Sequence, residues 1–140
     1  MTIAIDGSCH CGNIKFNLAW PDDAPQIGIR ECGCDFCQKH GGEWTSHRDA
    51  ELDVLISEPS KISKYRFGTG TADFYICSVC GVVPVVICEI DNLLYGIVNT
   101  NAFEANANIT FTHTTTDFDG EDVDGRLDRR RRNWIPSVRI

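Results

Sequence analysis

Seven of the eight cysteines in this 140-residue chain fall into three tight clusters: Cys9-x-Cys11, Cys32-x-Cys34-x-x-Cys37 and Cys77-x-x-Cys80. Cysteines this close in sequence rarely reach disulfide geometry with one another, and bridging frameworks spread them instead. The opening residues Met1–Asp6 lack the basic region and long apolar block of a secretory signal. A reducing, cytoplasmic setting is therefore expected, where clustered thiols serve metal or redox chemistry.

The clusters differ in what they offer an ion. On a strand, residues i and i+2 share a face, so Cys9 and Cys11 can present two thiolates together. Cys77-Ser78-Val79-Cys80-Gly81 is a knuckle, and its trailing glycine suits the backbone of a tight turn. Two pairs complete a closed tetrahedral Cys₄ site, the structural arrangement for zinc. Cys32, Cys34 and Cys37 supply three sulfurs within six residues and no adjacent fourth, the pattern of a zinc with an open position. Two alternatives remain at this level. Cys34-x-x-Cys37 can pair with Cys77-x-x-Cys80 in a ribbon, although the 39 residues between them exceed the usual ~15–20. It can also be a redox pair, although no βαβ pattern surrounds it. His40 and His47 follow the middle cluster as candidate fourth ligands or acid–base groups, and Cys88, within Val85–Ile90, reads as a small core hydrophobe.

Hydrophobic periodicity is mostly two. Ile14, Phe16, Leu18 and Trp20 alternate with polar or small residues up to Pro21. Further strands are expected at Ile27–Ile29, Glu43–Arg48, Ile62–Phe67, Asp73–Cys77, Val82–Ile90, Leu93–Val98 and Ile109–Thr116, with a hairpin at Asp91-Asn92. Helical turns fit only around Asp35–His40 and Asn101–Ala107. Length and the lack of linkers point to a single, mainly-β domain over 1–140, and no apolar run approaches the ~20 residues of a membrane helix.

Charge is segregated. Residues 1–125 carry seven basic and nineteen acidic side chains, whereas 126–140 carry six arginines and Asp128, for a chain net of −7. The run Arg129-Arg130-Arg131-Arg132 directly follows acidic Asp117–Asp124. A nucleic-acid interface needs a broad basic face, so the arginines are expected to pair with acids of this domain or of a sister subunit. Trp134-Ile135-Pro136 reads as an apolar anchor for the tail.

Gly7-Ser8-Cys9-His10-Cys11-Gly12, Cys32-Gly33-Cys34-Asp35-Phe36-Cys37, Tyr65-Arg66 and Cys77-Ser78-Val79-Cys80-Gly81 together resemble the glutathione-dependent formaldehyde-activating enzyme family, which includes centromere protein V-type zinc domains. The resemblance spans roughly residues 5–105, leaving 106–140 as an acidic and then Arg-rich tail. It implies a β-tent fold of antiparallel sheets tied by two zinc ions. Cys9, Cys11, Cys77 and Cys80 would hold the structural zinc, and Cys32, Cys34 and Cys37 the functional one. It further implies a carbon–sulfur lyase that joins glutathione and formaldehyde or separates their adduct. Glutathione carries two carboxylates, for which Lys39, Arg48 and Arg66 are the candidate contacts. Relatives such as centromere protein V imply the alternative, a zinc-stabilised interaction module without catalysis. The segment Cys80-Gly81-Val82-Val83-Pro84 departs from the founding enzyme's pattern.

Overall fold

A computed structural model describes residues 2–23, 26–104, 109–116, 118 and 120–140. The chain is mainly β. Strands β1 (Thr2–Ser8), β2 (Ile14–Pro21), β5 (Glu51–Ile56) and β11 (Ser137–Arg139) form a four-stranded sheet in the order β1-β2-β5-β11. The second sheet has seven strands, in the order β10-β3-β4-β9-β8-β7-β6. These are β3 (Gln26–Cys32), β4 (Glu43–Thr45), β6 (Ile62–Tyr65), β7 (Asp73–Cys77), β8 (Val85–Ile90), β9 (Leu93–Asn99) and β10 (Thr110–Thr116). Helices α1 (Asp35–His40) and α2 (Val123–Asn133) complete the fold. Both sheets are mixed rather than wholly antiparallel: β10 runs parallel to β3 and β11 parallel to β5.

The alternation of β2 becomes one wall of the main core. Ile14, Phe16, Leu18 and Trp20 are buried there with Leu52 and Val54 of β5 and Val85, Ile87 and Val98 of the larger sheet. A second core gathers Cys37, Trp44, Val86, Cys88, Ile97 and Trp134. Asp91 and Asn92 take φ of 52° and 66°, the left-handed pair that a tight β8–β9 hairpin requires.

Several expected elements differ in extent. Strand β8 starts at Val85 because Pro84 has no N–H to donate. The Glu43–Arg48 strand stops at Thr45, where the chain turns and His47 Nδ1 accepts from the Asp49 N–H. Strand β6 ends at Tyr65. Of Asn101–Ala107, Asn101 and Ala102 lie in a 3₁₀ turn at Thr100–Ala102, Phe103 bridges to Gly7, and residues 105–107 lie outside the described residues. Cys9 and Cys11 are not on a strand. They sit in the turn joining β1 and β2, where Gly12 adopts φ 89° and its N–H bonds to the Cys9 carbonyl.

The largest correction is the tail, where no helix was expected. Asp122 caps α2 by accepting from the Gly125 N–H, Asp124 lies in the first turn, and Arg130–Arg132 lie in the last, which suits the helix dipole at both ends. Trp134 and Ile135 anchor it as expected, at 5% and 0% exposure. Ile135 exchanges two backbone hydrogen bonds with Gly96 of β9. The arginines also find acids on the same chain: Arg126 and Arg129 pair with Glu121, Arg131 with Asp91 and Asp128, and Arg139 with Asp53.

Candidate metal centre and its cavity

The β1–β2 turn and the turn after β7 meet at four sulfurs. Those of Cys9, Cys11, Cys77 and Cys80 all lie within 4.8 Å of one another. Cys9 and Cys11 are 3.8 Å apart, and Cys11 and Cys77 are 3.4 Å apart. Tetrahedral zinc at ~2.3 Å from each sulfur would set them roughly 3.8 Å apart, so this donor set fits that ion. Gly81 takes φ 81° and its N–H bonds to the Cys77 carbonyl, closing the knuckle. Cys9 and Cys77 are buried, Cys80 is half-buried, and Cys11 is exposed.

Sulfurs so close compete for protons. At Cys80, burial works against ionisation, but backbone N–H groups around the sulfur win and bring the thiol down to about 6. At Cys11, hydrogen bonding around Asn13 lowers the pKa, but the shared proton with Cys77 and the neighbouring sulfurs carry it up to about 11. A cation would relieve this competition by favouring thiolate at every position.

The second cluster forms where β3 runs into α1. Cys32 ends the strand, Cys34 is the helix N-cap whose sulfur accepts from the Cys37 N–H, and Cys37 follows in the first turn. Gly41 closes the short helix at φ 80°. The three sulfurs lie within 4.8 Å of one another, and among the described residues no fourth donor joins the group. Hydrogen bonding and charge from Cys32, together with burial, push Cys37 up, and burial pushes Cys34 up. All eight cysteines are free of disulfides.

These three cysteines line a cavity of about 460 Å³, and the four-sulfur cluster does not. One wall is aromatic: Phe36 lies 5.0 Å from Phe67 and 4.9 Å from Phe74, and Trp44 stands edge-on to Phe74. The lining also includes Arg30 on β3 and Arg126, Arg129 and Arg130 on α2, with Glu121. Glu121 is held below the usual carboxylate range, first by the hydrogen bond from Arg129.

The expected accessory residues lie elsewhere. His40 stacks on Phe36 at 5.6 Å, with burial pushing its pKa down, and it does not join the sulfur group. His47 packs edge-on to Trp20 and lines a separate surface groove with Arg48. Lys39 is exposed on α1, and Arg66 forks onto Asp73 at the surface. None of Lys39, Arg48 and Arg66 is in the lining of the cysteine cavity. Arg126, Arg129 and Arg130 escape a reading of the sequence because the tail looks like a charge-paired extension, and Arg30 carries no local signal at all. The helix cap and terminal charges at 122–132 were the available signal.

A sequence profile of the glutathione-dependent formaldehyde-activating enzyme family matches residues 4–116. A Halomonas elongata protein, named provisionally as a glutathione-dependent formaldehyde-activating enzyme, is 32% identical over an alignment covering 38% of this chain and 45% of that one. The chain thus aligns with less than half the length of that relative. A crystal structure of a Rhodobacter sphaeroides protein superposes with a TM-score of 0.55 at 27% identity, covering 76% of this chain and 99% of that chain.

Proposed function

This chain belongs to the glutathione-dependent formaldehyde-activating enzyme family, and from that premise we propose that it is a zinc-dependent, carbon–sulfur lyase-like enzyme acting on a glutathione-type thiol and its aldehyde adduct. The observation that carries the reading is the unequal setting of the two sulfur clusters. Four converge away from the cavity, as a structural zinc site would, and three open into it. In this reading residues 1–140 form one zinc-binding domain in the cytoplasm, with Cys9, Cys11, Cys77 and Cys80 holding one ion and Cys32, Cys34 and Cys37 the other. Among the described residues no helix is long and apolar enough to cross a membrane.

When bound at Cys32, Cys34 and Cys37, zinc supplies a Lewis acid that lowers the pKa of a substrate thiol or polarises an aldehyde oxygen. The protein's residues do the rest. The end of β3 and the start of α1 place the three sulfurs together in the cavity lining, where they would hold the ion within reach of a substrate. Phe36, Phe67, Phe74 and Trp44 give the cavity an apolar lining, and a lower local dielectric strengthens polar interactions there. In the adduct-forming direction the thiol sulfur bonds to the aldehyde carbon, and the thiol proton ends on the former carbonyl oxygen. The reverse step breaks the same carbon–sulfur bond.

The test is exchange between glutathione, formaldehyde and S-hydroxymethylglutathione, followed by NMR with the spontaneous rate subtracted at each pH. Acceleration that disappears in a folded Cys34→Ser protein supports the reading. No rate above background with two ions bound leaves the interaction-module alternative standing.

A further inference from the structure

The family match ends at residue 116, yet the charged wall of the cavity comes mostly from beyond it. Helix α2 brings Arg126, Arg129 and Arg130 to the same cavity as the three cysteines, and β3 adds Arg30. Among the described lining residues, only Asp35 and Glu121 oppose these four arginines. Arginines thus outnumber carboxylates in this lining by two, in a chain whose net charge is −7.

Fold stability alone does not call for this arrangement. Arg130 is only 7% exposed, and its partners among the described residues are neutral: the Thr71 hydroxyl at 2.7 Å, the Cys88 sulfur at 3.4 Å and the Trp134 ring. Its Nε has no hydrogen-bond partner among the described residues. Burying a guanidinium without a carboxylate is costly. Arg126 and Arg129 have side chains only 19% and 15% exposed and share a single Glu121. The Arg129 guanidinium carbon lies 3.6 Å from the centre of the Phe118 ring, a cation–π contact that limits its freedom. Arg30 is held by the Ser46 hydroxyl, which in turn donates to the Asn133 carbonyl at the end of α2. Guanidinium groups so positioned, with donors to spare, suit a carboxylate that arrives from solution.

We propose that α2 is the anion-recognition wall of the cavity, and that it restricts the substrate to small acidic thiol compounds. The carboxylate would lie against Arg126, Arg129 and Arg30 while the sulfur faces Cys32, Cys34 and Cys37. The inference rests on the reading of this cavity as a thiol site. Arg130 contributes fixed positive charge behind the wall. Glu121 takes part of the fork of Arg129 in the free protein, so an incoming carboxylate competes with it. Neutral thiols gain nothing from this wall and are discriminated against.

S-Methylglutathione, which keeps both carboxylates but has no free thiol, separates the wall from the chemistry. Its binding to the full-length, metal-loaded protein is read from the fluorescence of Trp44 and Trp134, both in the cavity lining, and confirmed by calorimetry. The dimethyl ester of the same compound should bind at least about tenfold more weakly, the scale of one lost charge-assisted hydrogen bond. Arg129→Gln should weaken the acid by a similar factor and leave the ester unchanged. Arg126→Gln serves as the second variant, with melting curves to show that each is folded. Failure of the acid to bind, equal affinity for acid and ester, or unchanged affinity in both folded variants would overturn the proposal. Arginine-dependent binding without turnover of glutathione and formaldehyde would sink the enzyme reading and leave the wall standing. Turnover with no preference for the acid would do the opposite.

Discussion

Replacing Cys80 with serine and replacing Cys34 with serine should have very different consequences for folding. The four-sulfur cluster joins positions 66 residues apart, Cys11 and Cys77, whereas Cys32 to Cys37 span six residues. Loop-closure entropy grows as (3/2)RT ln n, so the longer loop makes its metal clip worth about 2 kcal/mol more. Burial widens the gap. Cys9 and Cys77 are 2% and 0% exposed within the main core, so losing the proposed ion would leave uncoordinated thiols among packed side chains. Structural zinc contributes on the order of 10–16 kcal/mol in small domains, comparable with the ~5–15 kcal/mol total stability of a domain. Cys80→Ser should therefore abolish the cooperative melt. In Cys34→Ser the new hydroxyl can still cap α1 through the Cys37 N–H, a role serine fills well. Its loss should stay near 2 kcal/mol, roughly 6 °C for a chain of this length. Circular dichroism melts with metal analysis measure both. Equal depression of the melting temperature in the two variants would refute the division of labour.

Ile135→Ala removes a fully buried side chain that docks the tail on β9, and should cost about 2–5 kcal/mol in urea denaturation. A loss below about 1 kcal/mol would mean the tail is not part of the core. Glu121 is held below the ordinary carboxylate range by Arg129, so its stabilisation is full above the unfolded pKa of about 4.3 and fades as pH falls through the lower folded value. The melting-temperature gap between wild type and Glu121→Gln should be constant above about pH 5 and shrink in more acid solution. A gap that grows on acidification contradicts the assigned pairing. Because Arg126, Arg129, Arg131 and Arg139 are paired on their own chain, the protein should not bind DNA or RNA at 150 mM salt. Tight binding with a steep salt dependence would overturn that.

The parts of this protein that sequence reveals are those whose signal is local. Ile14, Phe16, Leu18 and Trp20 alternate because one face of β2 is core, and all four are at most 2% exposed. Asp91-Asn92 marks its hairpin because few other residues tolerate two left-handed positions in a row. Each cysteine cluster is likewise assembled from one or two tight segments. Helix α2 was harder to see because its buried positions include Arg130, so no apolar stripe marks the inward face. Its N-cap Asp122, its acidic first turn and its basic last turn are readable, but they also fit a plain charge-segregated tail. The β5 strand was overlooked although Leu52 and Val54 alternate within ELDVLI. The cavity had no local signature at all. It brings together residues around 30–37, 67–74 and 116–134, and only their tertiary arrangement makes them neighbours.

In the proposed function, a metal held by Cys32, Cys34 and Cys37 meets the substrate thiol directly. Cobalt substitution gives that centre a visible spectrum, and titration with glutathione then reads its ligand shell. A saturable change in the cobalt bands is expected, and it should be absent in folded Cys34→Ser protein. An unchanged spectrum at saturating glutathione would contradict it.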